Sequence, residues 1–184
     1  SESEAPVEIH VWIRNDQVRV LLNTSGMSLH QRGYRESGVP APLKETLAAG
    51  LVYLSEWKGE RPLYDPFCGS GTIVIEAAML AQNIAPGLLR KFAFEHWLWT
   101  NKEIIDQERK AAQLQKIEKK IEIYGSDIDD YSLNLAKAYA MKAGVNGIMF
   151  FQRDITSHSD SGKREAERIF NSELNSALRY PLSD

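Results

Sequence analysis

With one cysteine, Cys68, the chain can form no internal disulfide, and its stability must come from packing in a compartment that keeps thiols reduced. No apolar run approaches the roughly 18 residues of a membrane span. Positive charge is not in excess: 22 lysines and arginines face 25 aspartates and glutamates, and the net charge of -3 argues against coating nucleic acid by bulk charge. Internal repeats and low-complexity tracts are missing as well. The acidic, polar opening Ser1-Glu-Ser-Glu-Ala-Pro6 does not read as a signal peptide. These exclusions leave an α/β domain, expected in the cytoplasm, with 43% hydrophobic and 26% charged residues and enough chain for one core.

Val7–Leu22 reads as a β-hairpin, because Val7, Ile9, Val11 and Ile13 alternate with polar or aromatic residues and Asn15-Asp16 supplies a turn. Residues 23–41 form a turn-rich basic linker containing Leu29-His-Gln-Arg-Gly-Tyr-Arg35. His30, Arg32 and Arg35 around Tyr34 could make a phosphate-contacting, base-stacking edge for single-stranded nucleic acid. They could equally be a solvated loop paired with nearby acids. Pro42 suits the first turn of a helix whose Leu43, Leu47, Leu51 and Leu54 recur at helical spacing, with Trp57 completing an apolar face.

Leu63-Tyr64 then leads as a short strand into Asp65-Pro-Phe-Cys-Gly-Ser-Gly-Thr72. A helix follows, with Ile73, Ala77 and Leu80 expected inside. Residues 88–121 carry an aromatic cluster (Phe92, Phe94, Trp97, Leu98, Trp99), expected to pack as a satellite core, and a charged helical run from Asn101 to Lys120 with its Ile and Leu positions inward. A second strand, 121–125, runs into Asp127. A helix from Tyr131 to about Ala143 follows, closed by Gly144, and a third strand, Ile148–Phe151, runs into Asp154. Arg164–Tyr180 is amphipathic.

Asp65, Asp127 and Asp154 thus follow three successive strands with helices between them. In a parallel sheet those strand ends share one edge, where α/β folds bind small cofactors. Asp127 stands where such sites place an acid on ribose hydroxyls, and Asp154 could accept from an adenine amine. Asp65, beside the glycine turn, could hold an amino group. What the glycine turn lacks narrows the ligand. No lysine follows Gly71, so it is not a phosphate-cradling P-loop, and Gly69-Ser-Gly-Thr-Ile-Val74 has no third glycine of a dinucleotide fingerprint. A nucleoside without pyrophosphate fits, with S-adenosylmethionine the obvious candidate. A cysteine in such a turn is expected to be packing rather than a nucleophile.

Asp65-Pro-Phe-Cys-Gly-Ser-Gly-Thr-Ile-Val-Ile-Glu-Ala-Ala78 resembles the first motif of the THUMP-associated RNA methylases, the UPF0020 family, whose members include ribosomal RNA guanine-N2 methyltransferases and which was long labelled N6-adenine-specific. The likeness extends from about residue 7 to 156. It includes Asn23-Thr-Ser-Gly26, Leu29–Arg35, Ala41–Ala49, Ala85-Pro-Gly87, Tyr124–Asp129 and Arg153-Asp154. It implies a Rossmann-like class I methyltransferase fold over residues 42–184, with an incomplete parallel sheet. Residues 1–22 would be the end of a THUMP-like RNA-binding domain. It implies S-adenosylmethionine as cofactor, with Asp65, Phe67, Cys68, Gly69, Ser70, Gly71 and Thr72 around its methionine end. Leu43, Lys44 and Thr46 would line its far side, Asp127 hold the ribose, Ile128 pack on the adenine, and Asp154, with Ile155 beside it, read the adenine amine. The implied partner is RNA, ribosomal ahead of transfer RNA, bound partly through His30, Arg32, Tyr34 and Arg35.

One part of the family pattern is missing from this sequence. Family members carry Asn-Pro-Pro-Tyr after a further strand, where it holds the amine to be methylated and stacks on the flipped-out base. This chain has no Pro-Pro pair, and its only later proline, Pro181, lies in Arg179-Tyr-Pro-Leu182. Binding of cofactor without turnover is therefore expected. The competing readings are a naturally non-catalytic cofactor- or RNA-binding module and, disfavoured by the absent glycine, a nicotinamide-dependent oxidoreductase.

Overall fold

The computed structural model describes residues 7–35 and 43–154. The chain opens with an antiparallel hairpin, β1 (Ile9–Arg14) and β2 (Gln17–Leu22). Asn15 and Asp16 take φ values of 51° and 57°, the paired left-handed geometry of a two-residue hairpin turn. Register puts Ile9 opposite Leu22, Val11 opposite Val20 and Ile13 opposite Val18, so one face is wholly aliphatic. Both faces are exposed.

The rest is built on a parallel sheet of order β3-β4-β5: β3 (Leu63–Asp65), β4 (Ile123–Asp127) and β5 (Ile148–Gln152). Helix α1 (Glu45–Leu54) precedes β3, α2 (Thr72–Ala81) follows it, and α4 (Asp130–Ala143) links β4 to β5. Between α2 and β4 lie a short 3-10 turn (Ala93–His96) and α3 (Lys102–Leu114). The parallel sheet with its intervening helices is the Rossmann-like architecture the sequence implied.

Helix α2 is the centre of the core. It packs on α1, on α4 and on all three strands. Val74, Ile75, Ala77 and Ala78 are fully buried, and Glu76 and Met79 nearly so. Of the expected stripe only Ala77 is fully buried; Ile73 and Leu80 are half-buried, and the rest of α2 up to Met79 is buried more deeply than they are. Its alanines let neighbouring helices approach closely, which explains a second departure. Helix α1 buries Ala48, Ala49 and Val52 rather than its leucines, because only small side chains fit against α2. Leu47, Leu51 and Leu54 face outward, Leu54 at 82% exposure, while Trp57 is buried as expected. Helix α1 also begins at Glu45, after an extended Lys44, rather than at Pro42, which lies outside the described residues.

Helix α3 buries no residue, so its isoleucines and leucines do not form the expected inward stripe. Polar clamps hold it instead. Arg109 donates to the carbonyls of Leu88 (3.1 Å) and Arg90 (2.7 Å) and pairs with Glu95. The aromatic cluster is divided: Trp97 is buried and Phe92 stacks on Phe94, but Leu98 and Trp99 are exposed. Asp129 caps α4 by accepting from the amides of Tyr131 and Ser132, and Gly144 closes that helix at φ 70°. The amphipathic segment 164–180 lies outside the described residues.

Candidate functional site

The glycine turn is fixed to the neighbouring strand by its backbone. Cys68 N–H donates to the carbonyl of Ser126 (2.9 Å), and Gly71 N–H to that of Cys68 (2.8 Å). The turn can lie this close because β4 presents Gly125, where a Cβ would stand 3.0 Å from the Phe150 ring and 3.1 Å from Cys68 Sγ. Ser126, also buried, shares a 2.7 Å hydroxyl hydrogen bond with Tyr64. Gly71, at φ 83°, is the N-cap of α2 and brings no side chain to cap it. Among the described residues the first-turn amides of α2, at the positive end of its dipole, meet no capping side chain.

Asp127 holds two elements at once. Its Oδ2 accepts from Gly69 N–H at 2.8 Å and its Oδ1 from Asp129 N–H at 3.0 Å, so one carboxylate orders both the glycine turn and the start of α4. A carboxylate has about four acceptor positions, so further hydroxyl donors can still be served. Asp65 Oδ1 accepts from Phe67 N–H (3.1 Å). Asp65 and Asp127 are the last residues of β3 and β4, not the residues after them. Asp127 is paired in register with Gln152, two residues before Asp154, so the three carboxylates line one sheet edge as expected. Two large apolar side chains flank them in the open, Phe67 at 70% and Ile128 at 62% exposure.

Burial pushes the Asp65 carboxyl above the usual carboxylate range; the Phe67 amide opposes this and the charge of Asp127 adds to it. Burial, with Asp65 and Asp127 adding, pushes the Cys68 thiol up to about 12. Cys68 is thus a buried, protonated thiol, which suits packing and not attack on a substrate. Asp129 moves the other way, held below its usual range by the hydroxyl and amide of Ser132.

On the far side of α2, Leu43 is half-buried while Lys44 and Thr46 are exposed at the start of α1. Ile155 lies outside the described residues. The loop read as a basic, stacking edge is largely turned inward. Tyr34 is fully buried and its hydroxyl donates to Glu76 Oε1 (3.0 Å). Arg32 pairs with Glu76 Oε2 (3.3 Å), and Arg35 with Glu45 (3.4 Å) and the hydroxyl of Thr72. His30 is half-buried and makes no such partnership among the described residues. The physical reason is a lone carboxylate, Glu76, in the apolar run of α2, which must be paired where it is buried. That isolated charge was the available signal, and it was missed. Arg90 was missed too: it is buried and donates to the carbonyls of Ser25, Met27 and Ser28, holding this loop to the segment after α2.

A family model described as UPF0020, RMKL-like methyltransferase domain, matches residues 32–169. The chain is 45% identical over 154 residues to the ribosomal RNA large subunit methyltransferase K/L of Shewanella oneidensis, covering 80% of this chain and 22% of that protein. It is 40% identical over 166 residues to YpsC of Bacillus subtilis, covering 88% of this chain and 43% of that one. Among solved structures, a "predicted N6-adenine-specific DNA methylase" from Listeria monocytogenes superposes with a TM-score of 0.79 at 42% identity, over 85% of this chain and 43% of that one. The protein SMU.472, crystallised with SAH, superposes with a TM-score of 0.74 at 37% identity, over 86% and 42%. The chain thus spans less than half the length of these relatives.

Proposed function

The chain belongs to the UPF0020 family of RMKL-like methyltransferase domains, and from that premise we propose that it is the S-adenosylmethionine-binding part of an enzyme that methylates an exocyclic amine of an RNA base. The observation that carries this is the double hold of Asp127 on Gly69 N–H and Asp129 N–H. It orders a glycine turn with no phosphate-binding lysine beside an uncapped helix N-terminus, which suits a nucleoside bearing a carboxylate rather than a pyrophosphate.

The cofactor supplies an electrophilic methyl group on a sulfonium. Residues of this chain bind and orient it. The turn from Asp65 through Phe67, Cys68, Gly69, Ser70, Gly71 and Thr72 encloses the methionine end, with Leu43, Lys44 and Thr46 opposite. Asp127 accepts from the ribose hydroxyls through its remaining lone pairs. Ile128, already exposed, covers the adenine face, and Asp154 reads the adenine edge. The SAH bound to SMU.472 supports this assignment of ligand.

Ribosomal RNA is the preferred substrate class, supported by the Shewanella relative; the name of the Listeria neighbour points instead to adenine in DNA. The hairpin is read as the end of a THUMP-like RNA-binding domain, and the site of action as the cytoplasm. Since the sequence holds no Asn-Pro-Pro-Tyr, this chain alone binds cofactor without transferring its methyl group. Calorimetry on the folded chain tests the reading: S-adenosylhomocysteine binds at one site and NAD does not. Thermal stabilisation by NAD and none by S-adenosylhomocysteine overturns it. Methyl transfer to ribosomal RNA by this chain alone overturns the claim of no turnover.

A further inference from the structure

The Arg35 guanidinium touches both walls of the proposed cofactor site. Its Nη1 donates to the carbonyl of Leu43 at 3.3 Å and lies 3.4 Å from Glu45 Oε1; its Nη2 donates to the hydroxyl of Thr72. Leu43 lies in the lead-in to α1 and Glu45 is that helix's first residue, while Thr72 is the first residue of α2, directly after the second turn glycine. The side chains of Arg35 and Glu45 are 11% and 5% exposed.

This is an expensive place for a cation. The guanidinium is largely desolvated and stands at the positive end of α2, where the helix dipole favours anions. Glu45 compensates the charge, yet an apolar pair of similar volume would fill the space without needing compensation. What an apolar pair cannot do is hold three acceptors from two segments in one rigid, planar fork. The neighbouring Arg32–Glu76–Tyr34 network is built from the same residue types, but its partners are Glu76, inside α2, and the carbonyl of Leu29, in its own loop. Of these two arginines, Arg35 is the one that reaches both segments proposed to face each other across the ligand.

We infer that Arg35 is a positioning residue for cofactor binding: it fixes the gap between the start of α1 and the glycine turn, so that both walls meet the methionine end together. This rests on the reading of the site as one for S-adenosylmethionine. It assigns Arg35 a task inside the protein, in place of the outward contact with nucleic acid that its sequence neighbourhood suggested.

The test compares Arg35→Lys, Arg35→Gln and Thr72→Val with a remote control, Arg109→Gln, which breaks the clamp on α3. Affinity for S-adenosylhomocysteine is measured by calorimetry, and melting without ligand is followed separately. Both Arg35 variants are expected to weaken binding by about tenfold or more, since lysine keeps the charge and loses the fork. Thr72→Val weakens it less, and combined with Arg35→Gln adds nothing further, because the two act through one contact. Arg109→Gln lowers the melting temperature with affinity unchanged. If Arg35→Gln does not fold, Arg35→Lys and Thr72→Val still decide the matter. Wild-type affinity in the Arg35 variants, with only their melting lowered, overturns the inference and leaves the cofactor reading intact. A wild-type chain that does not bind S-adenosylhomocysteine overturns both.

Discussion

Helix α2 has polar groups on two sides, and they are used differently. On the loop side, Arg32, Tyr34 and Glu76 close on one another, as do Arg35, Glu45 and Thr72. At the strand ends, Asp65 and Asp127 hold backbone amides, keep acceptor positions in reserve, and sit beside exposed Phe67 and Ile128. Both sides contain residues that a sequence reading marks as functional. What separates structural glue from a candidate site is whether the charged groups are paired with one another, as on the loop side, or keep acceptor positions open beside exposed apolar side chains.

The largest expected effect is on the closed side. Glu76→Ala leaves Arg32 as a buried, unpaired cation and the Tyr34 hydroxyl without its acceptor, and should cost about 3–5 kcal/mol in urea unfolding. Glu76→Gln should cost less, since the amide oxygen still accepts one bond. A loss below about 1 kcal/mol for the alanine variant, the range of an exposed pair, would mean the loop side is as open as the strand ends.

Next come the two turn glycines. Gly71→Ala forces a side chain into φ 83° with its Cβ 3.0 Å from that of Ala136. It should cost about 1–2 kcal/mol for the left-handed backbone and a further ~1 kcal/mol or more for the contact. Gly69 has φ 51° and open space around the same position, so Gly69→Ala should show only the backbone cost. Equal losses in chemical denaturation would remove the difference between the closed and open ends of this one turn.

Asp127→Asn should divide stability from binding. The single side-chain oxygen of asparagine can accept from Gly69 N–H or Asp129 N–H with little change in shape, so unfolding should shift by about 1 kcal/mol. Affinity for S-adenosylhomocysteine, measured by calorimetry, should fall about tenfold or more, because the charge-assisted bond to the turn and those proposed to the ribose are both weakened. An unchanged affinity would assign Asp127 to the closed side, as a cap and nothing else.

How much of this was legible in the sequence follows from how local each signal is. The hairpin turn at Asn15-Asp16, the glycine turn, the Gly144 cap and the three strand-end aspartates are each written within a few residues, and the structure has them in place. The packed face of α1 was not legible. The leucine spacing is helical either way, and only the alanines of α2, some thirty residues on, decide that Ala48 and Val52 go inside. The loop arginines were legible in part: pairing with nearby acids was one of the two readings, and Arg35 does pair with Glu45. The partner of Arg32, Glu76, lies 44 residues on, so the sequence around the loop looks alike whether it faces water or a buried carboxylate. Arg90 and Arg109 carried no motif, yet they fasten the segment after α2 by donating to backbone carbonyls.

The smallest effect gives the sharpest contrast, because it runs opposite to ordinary loss of stability. Burial raises the Asp65 carboxyl above its ordinary value of about 3.9. As the pH rises through the interval between the ordinary and the raised value, the folded chain keeps a proton that the unfolded chain has released. The contribution of this group to stability is therefore complete below the ordinary value and is lost as pH rises through the raised one. The fold thus holds the ionised form of Asp65 at a disadvantage. Asp65→Asn keeps an oxygen for Phe67 N–H and removes that charge. It should leave urea unfolding at neutral pH unchanged or slightly more favourable to the folded state, and flatten the pH dependence just above the ordinary carboxylate value. Binding of S-adenosylhomocysteine should weaken in the same protein, since its amino group loses an anionic partner. Asp129, whose carboxyl Ser132 holds low, should behave in the reverse sense: Asp129→Asn loses stability at neutral pH and leaves affinity alone. If Asp65→Asn also destabilises the chain at pH 7 with its pH profile unchanged, Asp65 is a turn cap like Asp129, and the open side of α2 loses the carboxylate proposed to hold the ligand's amino group.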